Sequence, residues 1–399
     1  YFLAPAAAAL TDDDRATWVF RALILVVVIR ALGLTHANLL RREMDFRRRF
    51  LPELLGGVTK GVLAVVLAFS GYGVWALVLA TIAGTTVNTI GLWVVMPFRP
   101  RFELGFDGRA VRLIRFGASV SFVGVLTAIS ANVDYIIIGN VLGLTALGFY
   151  VIAFRIPELI LVEGLQTASQ AMFPYYARAR ELAVDPGARF LGTSRVASLI
   201  AAPIVAILAG LATPLIVFLF GDKWEAAAAA LPALALYAAF NTISGFAGDL
   251  YLALGKPWIL WVLGVPQVLI EIAAIWLIAP YGFAAAAYAL AGVAIVISLV
   301  RWEIASHVVG IRRTAIFRAF RPALVAGALA WVVAVVISRA LPLEAAALAG
   351  PALVALAYLV FASMLAPEVR GAARAALRLA ASRRSRGGQT PASGAGGSA

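Results

Sequence analysis

Stretches of about twenty apolar residues recur from one end of this chain to the other, and that recurrence limits the fold more than any other feature. A run of that length crosses the roughly 30 Å hydrocarbon core of a bilayer as a helix. In lipid every backbone N–H and C=O needs a partner within the protein, which leaves helices and closed barrels. A barrel needs alternating segments of about ten residues, whereas the runs here are continuous. Hydrophobic residues make up 63% of the chain and charged ones 13%, against about half and a quarter in soluble domains. The expected fold class is all-α and integral to the membrane, a polytopic helical bundle.

The apolar runs place spans at about 17–37, 53–70, 74–96, 113–134, 144–174, 192–219, 227–253, 257–279, 282–302, 320–339 and 345–366. Between them the basic residues fall on alternate connections. Arg41, Arg42 and Arg47 to Arg49 share one, Arg99 to Arg115 the next but one, and Arg301 to Arg321 a later one. The intervening connections, "TDDDRA", "SGYG", "FGDKWEA", "APYGF" and "ALPLE", are short and poor in basic residues. Positive charge marks the cytoplasmic side, so the C-terminus is expected inside and the net charge of +13 reads as a topology signal rather than a nucleic-acid footprint. There is no cysteine, hence no disulfide or thiolate metal site, and no cofactor is expected.

Residues 71–93 align with 280–302 at an offset of 209, matching Tyr72 to Tyr281, Gly73 to Gly282, Ala76 to Ala285, Ala80 to Ala289 and Trp93 to Trp302. A parallel repeat of this kind implies two similar lobes, a plan common among transporters. The expected organisation is a remnant of a first lobe over 1–98, a six-helix second lobe over 113–305, two further helices over 318–366 and a disordered basic, Gly-rich tail over 382–399. The chain begins at Tyr1 with "YFLAPAAAAL", the tail of a hydrophobic span. Together with the offset, that predicts an N-terminal truncation of roughly a hundred residues, about three helices.

Several stretches resemble the polysaccharide transport family, the Wzx-type flippases of lipid-linked oligosaccharides. They are "HANLLRREMDFRRRFLPELLGG" followed by "LAFSGYGVWALVLA", then "NVDYIIIGNVLGLTALGFYVIAFRIPE", "MFPYYARARE", "LFGDKW" and "LYLALGKP". The resemblance covers roughly residues 1–305. It implies membership of the multidrug/oligosaccharidyl-lipid/polysaccharide exporter superfamily, with fourteen helices in two six-helix lobes around a central cavity. It also implies movement of undecaprenyl-diphosphate-linked sugars from the inner to the outer leaflet of the bacterial cytoplasmic membrane, driven by an H+ or Na+ gradient. Membrane lipid and a polysaccharide polymerase or chain-length machinery are the implied partners, with no nucleic acid.

Charges inside the spans are the candidate site, because a charge at mid-bilayer costs roughly 2.5–3.5 kcal/mol and usually faces a cavity or a partner. From the rise per residue, Arg155 lies about 16 Å into its helix, Arg30 about 20 Å, Lys60 about 12 Å and Glu271 about 21 Å, while Asp134 falls at an outer helix end. At 100° per residue Arg155, Glu158, Glu163, Gln166 and Gln170 form one polar stripe, bent at Pro157. Arg155, Arg30, Lys60, Gln166 and Asp134 are candidate substrate-cavity residues; Glu271, Glu158 and Glu163 are candidates for ion coupling. The alternatives are an internal Arg155–Glu158 pair, a snorkelling Lys60 and a Glu271 paired with a neighbouring helix. Gly139, Gly143 and Gly148 are expected to form the outer reversal between two spans.

An enzyme acting at the outer face would need catalytic groups on a sizeable outer loop, and no nucleophile–base pair is present in the short outer connections. A multidrug exporter would favour carboxylates and aromatics over deep cations. A peptidoglycan-precursor flippase would suit a cationic cavity equally well.

Overall fold

A computed structural model describes residues 14–42, 45–98, 128, 132–165, 176, 185–256 and 258–366. Among the described residues there are helices and no strands, and ten helical segments are long and apolar enough to cross a membrane. The chain is a multi-pass α-helical membrane protein. It divides into two compact units, Tyr1–Val123 and Gly124–Ala399.

The first unit contains α1 (Asp14–Arg42), α2 (Phe46–Phe69) and α3 (Val74–Val95). Asp45 starts α2, its carboxylate accepting from the Arg48 N–H at 3.0 Å. The α2–α3 connection turns through Gly71 and Gly73, both at positive φ, a region open to glycine at little cost. The two helices then approach to backbone contact. A Cβ added at Gly56 would stand 2.8 Å from the Gly84 carbonyl, and one at Gly91 would stand 2.9 Å from Pro52 Cβ. Small residues are what permit such approach in lipid, where packing drives helix association. The other side of α3 holds α1 through Thr89 Oγ1–H to Ile29 O (3.2 Å) and Trp93 Nε1–H to Leu32 O (3.0 Å).

The second unit opens with α4 (Val133–Pro157), which is a hairpin rather than a rod. Gly143 has φ 83° and ψ 173°, and the Tyr150 hydroxyl donates to Asp134 Oδ2 at 2.9 Å. Residues sixteen apart would be about 24 Å apart along a straight helix, so limbs 133–142 and 144–157 lie side by side. A π-helical turn, Glu158–Glu163, follows Pro157. Then come α5 (Pro186–Gly210), α6 (Ala212–Phe220), a 3-10 stretch (Asp222–Ala229), α7 (Leu231–Ala253), α8 (Trp258–Ile278), a 3-10 turn (Ala279–Tyr281), α9 (Phe283–Val309), α10 (Arg313–Ala340) and α11 (Leu343–Leu365). Helix α7 is the most enclosed, packed by α4, α5 and α9. Helices α10 and α11 seat on α5, where a Cβ at Gly210 would collide with Ala334 Cβ and the Tyr358 hydroxyl donates to Leu199 O at 2.8 Å.

The repeat has a structural counterpart. Helix α3 is capped by Gly73 and α9 by Gly282, and α2 ends at Phe69 where α8 ends at Ile278; both pairs stand 209 residues apart. In each trio, α1–α2–α3 and α7–α8–α9, the third helix packs against both others.

Two sequence expectations are corrected. Most of the span expected over 113–134 lies outside the described residues; the described helix begins at Val133 and holds Asp134 in its first turn, buried at 7% exposure and about 13 Å along the limb from the Gly143 reversal rather than at an outer helix end. Arg301, assigned to a basic loop, lies within α9, which continues to Val309.

Candidate functional site

A polar cavity of about 100 Å³ lies inside the second unit, lined by Asp134, Glu158, Tyr237, Asn241 and Glu271 among apolar neighbours. Each polar group is placed by a different element. Asp134 comes from the first turn of α4, and its other oxygen, Oδ1, accepts from the Tyr135 N–H at 2.9 Å. Glu158 is the first residue of the π turn. Tyr237 and Asn241 share a face of α7 one turn apart, and Glu271 descends from α8. A larger groove of about 430 Å³ between α5, α7 and α10 is almost wholly apolar, so the charged chemistry of this unit belongs to the smaller cavity.

Behind Glu271 runs a network that crosses three helices. Gln267, one turn earlier on α8, donates through Nε2 to Glu271 Oε1 at 2.8 Å. Arg301 on α9 donates through Nη2 to Gln267 Oε1 at 2.7 Å and through Nη1 to Ser244 Oγ on α7 at 3.1 Å. The Tyr251 hydroxyl fixes the α9 backbone at the same level by donating to the Arg301 carbonyl at 2.6 Å. Glu271 is 1% exposed and Gln267 is also buried. A buried acid is tolerable only with hydrogen bonds and a compensating charge nearby, and the amide of Gln267 connects it to the guanidinium. The 209-residue counterparts of Gln267, Glu271 and Arg301 are Val58, Val62 and Leu92. The side chains at those three positions of the first unit cannot form such a network.

At the cavity's edge, Arg155 Nη1 pairs with Glu158 Oε2 at 2.8 Å, with side-chain exposures of 53% and 33%. The internal pair expected as the alternative is present, and its carboxylate, not its guanidinium, is among the residues that line the cavity. The stripe drawn at 100° per residue stops at Pro157. In the π turn each hydrogen bond spans five residues rather than four, which changes the angular step, and Glu163 is left exposed. Gln166 and Gln170 lie outside the described residues. Arg30 on α1 and Lys60 on α2 are both exposed in the first unit, and the Lys60 Cβ rests over Gly84. The sequence reading missed Arg301, Ser244, Tyr237 and Asn241. Position 19 of a 27-residue apolar helix was the available signal for Arg301, and polar residues three apart on α7 were the signal for Asn241 and Ser244.

Residues 1–229 match the model of the family described as "Polysaccharide biosynthesis protein". Three curated relatives are similar over more than half of the chain. The succinoglycan biosynthesis transport protein ExoT of Rhizobium meliloti is 26% identical over 57% of this chain and 46% of its own length. The teichuronic acid biosynthesis protein TuaB of Bacillus subtilis is 23% identical over 64% and 53%. The lipopolysaccharide biosynthesis protein WzxC of Escherichia coli is 21% identical over 61% and 50%. The chain spans about half the length of the curated relatives it matches. In fold it is similar to the lipid II flippase MurJ in an inward closed conformation, with a TM-score of 0.67 over 89% of this chain and 75% of that one, at 14% identity. With more than half of its length matched by the family model, the chain belongs to the polysaccharide biosynthesis protein family.

Proposed function

We propose that the protein translocates undecaprenyl-diphosphate-linked oligosaccharide units across the bacterial cytoplasmic membrane for surface polysaccharide synthesis, coupled to an H+ or Na+ gradient. The observation that carries this reading is the grouping of Asp134, Glu158 and Glu271 around one intramembrane cavity, flanked by Arg155 and backed by Arg301. Intramembrane ionisable groups are expensive and mark ion and substrate pathways, and the counterpart helices of the first unit do without this network. The family, and relatives named for the transport or biosynthesis of succinoglycan, teichuronic acid and lipopolysaccharide, support the substrate class.

In this reading Arg155 attracts the diphosphate, with Arg30, Lys60 and Gln166 as further contacts and Asp134 at the cavity floor. Glu271, with Glu158 and Glu163, exchanges the coupling ion. The alternation of basic connections places the C-terminus in the cytoplasm, and the polymerase or chain-length machinery acts on the delivered units.

Complementation tests the reading. A strain lacking its own oligosaccharide flippase regains surface polysaccharide when given the full-length gene and not when given an Arg155→Ala version expressed at the same level. Failure of the intact gene in a strain making a matching sugar refutes the substrate class. Equal rescue by both removes Arg155 from the path.

A further inference from the structure

We propose that Glu158 is a built-in stand-in for the anionic headgroup: it occupies Arg155 while the protein is unloaded and yields it when a diphosphate binds. The inference rests on the reading of Arg155 as a headgroup contact.

A guanidinium about 18 Å from the Gly143 reversal, in the middle of an apolar span, needs a counter-charge at every stage of a transport cycle. Among the described residues, the acid that pairs with it is Glu158, three residues along the same segment. That pairing is weakly held. A single contact, Nη1 to Oε2, engages a donor fork built for bidentate recognition, and more than half of the Arg155 side chain stays exposed. A diphosphate offers two charges and several oxygens to that fork, so it displaces a carboxylate held at one point.

Glu158 also has somewhere to go. Its carboxylate already borders the cavity that holds Asn241 and Tyr237. It is the first residue of the π turn and follows Pro157, which has no N–H to donate. Backbone of this kind can shift register without breaking a regular helical ladder. The pair therefore lets the empty carrier keep both charges satisfied within one turn, and it sets the headgroup affinity below what Arg155 alone would give.

The experiment is equilibrium binding of undecaprenyl diphosphate, and separately of inorganic pyrophosphate, to the full-length transporter in lipid nanodiscs. Glu158→Gln frees Arg155 and should tighten binding of both probes by about tenfold, within the usual range for coupled sites. Glu158→Asp keeps the charge but shortens the reach, and should give an intermediate gain. Arg155→Gln should weaken binding by at least as much, and adding Glu158→Gln to it should change nothing further. If Arg155→Gln weakens binding but neither Glu158 variant tightens it, the exchange is wrong while Arg155 keeps its role. Equal tightening by Glu158→Gln with or without Arg155 would mean simple charge repulsion, which also overturns the exchange. If Arg155→Gln binds like wild type, the headgroup reading of Arg155 falls and takes this proposal with it.

Discussion

The network behind Glu271 makes a prediction in which one substitution does more damage than three. Arg301→Met removes two charge-assisted hydrogen bonds, to Gln267 Oε1 at 2.7 Å and to Ser244 Oγ at 3.1 Å, and leaves Glu271 buried at 1% exposure without the guanidinium. Breaking a buried charged set by deleting one member costs about 3–5 kcal/mol, which lowers a thermal midpoint by on the order of 10 °C in a unit of this size. The triple variant Gln267→Leu, Glu271→Leu, Arg301→Met replaces the amide, the acid and the guanidinium at once. Replacing an ionic set by apolar side chains of similar volume is often neutral or stabilising. Ser244 remains satisfied because its hydroxyl donates to the Asn241 carbonyl at 3.1 Å, and Val58, Val62 and Leu92 already fill the corresponding places in the first unit. Thermal unfolding of the purified protein in one detergent should therefore rank the single variant well below the other two, with the triple within a few degrees of wild type. Sugar translocation into vesicles should be lost in both. A triple variant as unstable as the single one would show that the network holds the helices together. A triple variant that still transports would remove it from the mechanism.

Three further outcomes follow from single contacts. Glu271→Gln should keep the bond from Gln267 and the fold, yet free translocation from its dependence on the imposed ion gradient; transport that still tracks the gradient would exclude Glu271 as the coupling group. Tyr150→Phe removes the hydroxyl that bonds Asp134 Oδ2 at 2.9 Å in a buried setting and should cost about 1.5–3 kcal/mol in unfolding by denaturant, whereas a loss under 0.5 kcal/mol would mean the bond does not hold the α4 limbs together. Gly143→Ala meets no atom within 4 Å but must adopt φ 83°, so its cost should be about 1–2 kcal/mol of backbone strain alone, and an unchanged midpoint would refute the sharp reversal at that residue.

What could be read from the sequence divides along the range of the interactions involved. The apolar runs and the Gly143 reversal are local properties, fixed by residues within one or two turns, and both have counterparts among the described residues. The 209-residue repeat is long-range but is carried by identities that a comparison of the chain with itself exposes, and its capping glycines coincide. Two placements changed: Asp134, expected at an outer helix end, sits in the first turn of α4, and Arg301, grouped with a basic connection, sits inside α9. Each charge is held by partners beyond its own turn, Asp134 by Tyr150 on the second limb of α4 and Arg301 by Gln267 and Ser244 on α8 and α7. Those partners are 16, 34 and 57 residues away, separations at which hydropathy carries no signal. The polar stripe failed for another reason: a 100° step is valid only while the helix stays α-helical, and Pro157 is followed by a π turn. That turn presents Glu158 to the cavity and leaves Glu163 exposed, so the departure from regular geometry is itself what separates an acid that meets Asp134 and Glu271 across one cavity from an acid that does not.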